Sequence, residues 1–101
     1  MASRLQLQSK LEGLLTLKNV YYQPPATIRM SYPAIRYSPA KPDSRFANNK
    51  RYAIMRRYSL IVISMTPDPE VIDKILELPY SSPGEPYIAD NLYHYPITLY
   101  Y

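Results

Sequence analysis

The chain has no cysteine, which rules out a disulfide framework and any cysteine-based metal site. It has no tryptophan, one phenylalanine (Phe46) and one histidine (His94), so the usual multi-histidine centres are ruled out as well. Two glycines stand against eleven prolines, which makes the connections stiff and extended. No apolar run approaches the ~20 residues of a membrane-spanning helix. The first ten residues, MASRLQLQSK, lack the continuous apolar centre of a signal peptide. At 101 residues there is room for one domain, here expected over residues 1–101, with a limited core.

Tyrosine takes the place of the missing aromatics: there are twelve. An apolar ring with a polar tip suits half-wet sheet faces and protein interfaces. Charge is unevenly placed. Residues 1–60 carry eleven Lys/Arg against Glu12 and Asp43, a net +9, whereas residues 61–101 carry Lys74 against six carboxylates, a net −5. Such asymmetry fits either a nucleic-acid partner or the basic part of one subunit meeting the acidic part of the next.

Residues 52–65, YAIMRRYSLIVISM, contain no Gly or Pro and are rich in β-branched and aromatic side chains. Alternation at one end gives way to the continuous apolar run Leu60, Ile61, Val62, Ile63, which marks a central strand. Residues 3–17 read as a helix. Leu7, Leu11, Leu14 and Leu15 form one apolar stripe, with Ser3 as N-cap. NVYY is then a short extended segment, and Gln23-Pro24-Pro25 a polyproline-like link. Residues 27–37 form the next strand, with a parity switch at Tyr32-Pro33 that implies a kink or bulge.

Residues 38–51, SPAKPDSRFANNKR, read as a loop of about 14 residues, long enough that it is usually functional or disordered. A solvated basic loop without a role is the alternative. After the central strand, Asp68 is the expected N-cap of a helix with Pro69 at its first position. Ile72, Ile75 and Leu76 make its buried stripe, and Pro79 ends it. Residues 80–86 read as a connection. Residues 87–101 supply one or two strands, and Pro96, lacking a donor, places the last one at an edge or begins it. The fold class is α+β: a small, mainly antiparallel sheet with two helices packed on it and a long loop between the first two main strands. Those two strands pair antiparallel.

No nucleophile–base–orienter set is present, so no catalytic residue is assigned, no cofactor is implied, and an enzyme is not expected. His94 beside Asp90 and Asn91 lacks the partners that acid–base work needs. Asp68, Glu70 and Asp73 could hold a metal, but helix capping explains them with fewer assumptions, and no metal ligand is assigned. Lys50, Arg51, Arg56 and Arg57 with Tyr52 and Tyr58 have the composition of a nucleic-acid surface, without a recognisable RNA- or DNA-binding signature.

The stretches YPAIRY, FANNKRY, RRYSLIVISMTPDPE, VIDKILELP and YIADNLYHYPITLYY together resemble small structural proteins of tailed bacteriophages: minor capsid, tail-completion or head–tail joining components. The resemblance runs from about Val20 to the C-terminal residue, and the order of elements looks like the tail-terminator family. It implies a virion protein of the neck, assembled in the host cytoplasm. Such a protein forms a homo-oligomeric, hexameric ring that caps the tail tube and joins it to the head connector or stopper protein. DNA passes through the lumen without sequence-specific binding, and no membrane is involved. Another neck component, a stopper or adaptor, is the alternative within that class; a small nucleic-acid-binding module is the alternative outside it. On this reading Arg45, Phe46, Asn48, Asn49, Lys50 and Arg51 contact the tail or head partner. Arg56, Arg57, Asp68, Glu70, Asp73, Glu77, Glu85 and Asp90 lie between subunits. Phe46 is then a partner anchor, the alternative being a plug against the sheet edge.

Overall fold

The computed structural model describes residues 4–15, 19–24, 32–41 and 56–101. The elements are α1 (Arg4–Leu15), β1 (Val20–Tyr22), β2 (Ala34–Pro39), β3 (Arg57–Ser64), α2 (Glu70–Leu76), β4 (Ser81–Pro83), β5 (Tyr87–Ala89) and β6 (Leu92–Tyr100). Among the described residues the strands form a six-stranded sheet in the order β1-β2-β3-β6-β4, with β5 also on β6. Every pairing is antiparallel except β1 with β2, which is parallel. The fold is therefore α+β, with two helices on a mostly antiparallel sheet.

The expected central strand lies at the centre. β3 pairs with β2 from Ala34↔Ile63 to Pro39↔Tyr58, and with β6 from Arg57↔Tyr100 to Ser64↔Tyr93. Pairing on both edges explains its β-branched run, because each side chain there packs against two cross-strand neighbours. Residues 52–55 of the expected strand lie outside the described residues. One side-chain parity carries Ile35, Tyr37, Tyr58, Leu60, Val62, Ile97 and Leu99 to the face beneath the helices. Leu7, Leu11 and Leu15 of α1 and Val71 and Ile75 of α2 join them in one core. Both helices thus cover the same face, and the i, i+4, i+8 spacing of the three leucines is what puts them on it.

Several boundaries differ from the sequence reading. The NVYY segment is extended as expected and holds β1, whose pairing is lengthened by the bonds Ile35 N–H to Asn19 O and Gln23 N–H to Tyr37 O, both 2.9 Å. Tyr32–Pro33 is a cis peptide just before β2, at the position where the apolar pattern of the sequence changes parity. Ser38 and Pro39 belong to β2 rather than to the loop. The N-cap of α2 is Pro69, not Asp68, and no side chain caps the helix. Asp68 instead has φ 50°, and its N–H donates to the Tyr95 hydroxyl at 2.8 Å. The helix ends at Leu76, two residues before Leu78 and three before Pro79. Ser3, the expected cap of α1, and residues 27–31 lie outside the described residues.

Two corrections concern the C-terminal part. Residues 80–86 are not only a connection, since Ser81–Pro83 forms β4 on β6. Pro96 neither starts nor edges its strand: it lies inside β6, opposite Ile61 of β3. Its carbonyl accepts from Gly84 N–H at 2.8 Å, so its ring nitrogen faces the break between Pro83 of β4 and Tyr87 of β5. The rule that proline avoids ladder positions needing a donor holds locally, because β6's partner on that side is interrupted there. The two strands of residues 87–101 turn at Asp90 and Asn91, whose φ values of 52° and 62° are those of a two-residue primed hairpin turn.

Candidate subunit interface

The sheet divides the charge. On the β1–β2–β3 side sit Arg4 and Lys10 on α1, Arg36 on β2, and Lys41, Arg56 and Arg57 at the end of the β2–β3 pair. On the β6–β4–β5 side sit Asp68, Glu70, Asp73 and Glu77 on and before α2, Glu85 between β4 and β5, and Asp90 in the β5–β6 turn. Glu12 and Lys74 are the exceptions among the described residues. All six of those carboxylates are exposed. The acidic residues assigned from sequence are therefore brought to one flank of the molecule.

Arg56 and Arg57 lie instead at the start of the central strand β3, at the end of the sheet where β2 finishes. The Arg56 side chain is exposed, and its backbone exchanges hydrogen bonds with Tyr101 at 2.9 and 3.1 Å. Arg57 is half-buried. Its guanidinium donates to Lys41 O at 2.7 Å, while its Nε is buried without a partner. It ties the ends of β2 and β3 together, which leaves Lys41 and Arg56 as the exposed cations there among the described residues. Arg45, Phe46, Asn48, Asn49, Lys50 and Arg51, assigned to the tail or head partner, lie outside the described residues.

A cleft of about 400 Å³ opens on the acidic flank, between the start of α2 and the β4–β5 connection. Ile72, Tyr95 and Ile97 supply its apolar surface, Asp68 and Asp73 stand on one wall, and Pro83, Gly84 and Pro86 form the other. Pro69 and Pro96 line it as well, so much of the wall has fixed φ and loses little freedom when a partner binds. The sequence reading missed Tyr95 and the prolines. Their only local signal is the spacing of Pro83, Pro86 and Pro96, which matters once β4 and β5 pack beside β6.

His94 stacks on Tyr87 across the β5–β6 pair, with ring centroids 4.8 Å apart and planes at 16°, and its Nδ1 lies 3.0 Å from Leu92 O. Among the described residues no three His, Cys, Asp or Glu side chains are placed to hold a metal ion. No described helix is long and apolar enough to cross a membrane. Large apolar side chains are exposed at Leu5, Met65, Tyr87 and Ile88, the last two on β5 at the acidic flank.

No protein-family model, curated protein or solved structure matches this chain.

Proposed function

We propose that the protein is a structural component of a phage neck, a tail terminator whose copies close into a ring on the tail tube and join it to the head connector. The observation that carries this is the division of charge across the sheet, basic on the α1–β1–β2–β3 side and acidic on the α2–β4–β5–β6 side. Two different, complementary surfaces on one subunit make a head-to-tail contact, and such a contact closes into a ring when the rotation between neighbours closes. A two-fold dimer would need one self-complementary surface instead. The resemblance of residues 20–101 to neck proteins supplies the place of that ring, in the virion, with DNA passing through its lumen and the tail tube and connector above and below.

The test is direct. The purified protein is examined by light scattering and negative-stain electron microscopy, then mixed with tails lacking a terminator. Rings of about six 11.8 kDa subunits that cap the tube are expected. A protein that stays monomeric at every concentration and ignores tails, yet binds nucleic acid, would overturn the reading in favour of a nucleic-acid module.

A further inference from the structure

The cleft beside α2 has a chemistry that selects its occupant. Its apolar surface, Ile72, Tyr95 and Ile97, takes an aliphatic stem, and Asp68 and Asp73 at its wall take a cationic head. Lysine and arginine are the side chains that combine the two, burying a methylene stem while holding the charge at a polar rim. None of the residues lining the cleft is cationic. The chain itself carries a net +4; among the described residues Lys10, Lys41, Arg56 and Lys74 are exposed cations, and Lys41 and Arg56 are the two that stand together, tied by Arg57 where β2 ends and β3 begins.

We infer that the cleft is a socket for the side chains of Lys41 and Arg56 of a second copy of this chain. The inference rests on the ring reading and identifies the contact that builds the ring. Socket and corner occupy different sites on one subunit: the socket on the β6–β4 flank, the corner at the β2–β3 end. Each copy can therefore give one contact and receive another at once, as a closing ring requires. The socket is held in shape before binding. The Tyr95 hydroxyl holds Asp68 through its N–H at 2.8 Å, and the Gly84 N–H to Pro96 O bond, also 2.8 Å, fixes the opposite wall. Arg57 in turn fixes the corner by donating to Lys41 O.

The test is a charge swap read by sedimentation and light scattering at low salt. The socket variant D68K/D73K and the corner variant K41E/R56E should each weaken self-association by about 10-fold or more, because like charges then face each other. Their circular dichroism should show a folded chain, since all four side chains are exposed and the strain of a lysine at the positive-φ position 68 is local. Combining all four substitutions in one chain, or mixing the two variants, should restore association. Loss in each variant without restoration overturns the pairing. Unchanged association in D68K/D73K overturns the socket while leaving the ring reading intact. A parent chain that never self-associates overturns both.

Discussion

The hydroxyl of Tyr37 on β2 donates to Oε1 of Gln8 on α1, joining residues 29 positions apart in the chain. Arg4 Nη1 donates to the same hydroxyl at 3.3 Å, and Arg4 lies over the Tyr22 ring at 4.3 Å. Gln8 Nε2 donates in turn to Val20 O at 2.9 Å. Through these groups α1 is fixed to both β1 and β2. Removing the hydroxyl in Tyr37→Phe leaves the Gln8 carbonyl oxygen without its donor, which should cost about 1–2 kcal/mol. A thermal melt should register a fall of roughly 5–10 °C for a chain of this size. A melt unchanged from the parent would mean that water replaces the bond.

Burial pushes the Tyr37 phenol above the ordinary tyrosine value, against the opposing pull of Arg4. The folded state thus holds the neutral phenol longer than the unfolded state does. Its contribution to stability is complete below the unfolded value and is lost as pH rises through the folded one. Near-ultraviolet absorbance during alkaline titration should show a late-ionising tyrosine that is missing in Tyr37→Phe. The melting temperature of Tyr37→Phe should also fall less steeply than the parent's over that alkaline range.

Asp90 and Asn91 both hold positive φ in the β5–β6 turn. Asn91→Gly should be neutral or slightly stabilising, because glycine adopts that backbone at no steric cost. Asn91→Val should cost about 1–3 kcal/mol, since a β-branched residue is strained there. Urea titration of the two variants tests the ordering, and equal midpoints would contradict the turn.

The two glycines should respond to alanine with opposite signs. A Cβ on Gly13 meets nothing within 4 Å, and Gly13 sits exposed inside α1, so Gly13→Ala should stabilise by about 0.5–1 kcal/mol. A Cβ on Gly84 falls 3.1 Å from Pro96 Cγ and 3.3 Å from Pro96 O, and the proline ring cannot swing away as a flexible chain could. Gly84→Ala should therefore destabilise by about 1 kcal/mol or more and deform the cleft wall. Denaturant midpoints of the two single variants decide it.

Much was readable from local pattern because local pattern is what dictates it. The leucine spacing of α1 and the apolar run of β3 follow from side-chain periodicity and strand propensity, which neighbours in sequence settle among themselves. The charge imbalance between residues 1–60 and 61–101 is likewise a property of the sequence alone. Tertiary structure decided what depends on partners distant in the chain. Asp68 holds positive φ with its N–H on the Tyr95 hydroxyl, and the helix cap falls one residue later, at Pro69. The break between β4 and β5 gave Pro96 a place inside a paired strand, and β1 chose a parallel neighbour that no local pattern specifies. The cleft belongs to the second group: its walls come from residues 68–73, 83–86 and 95–97, and only the folding of β4 and α2 beside β6 makes them one surface.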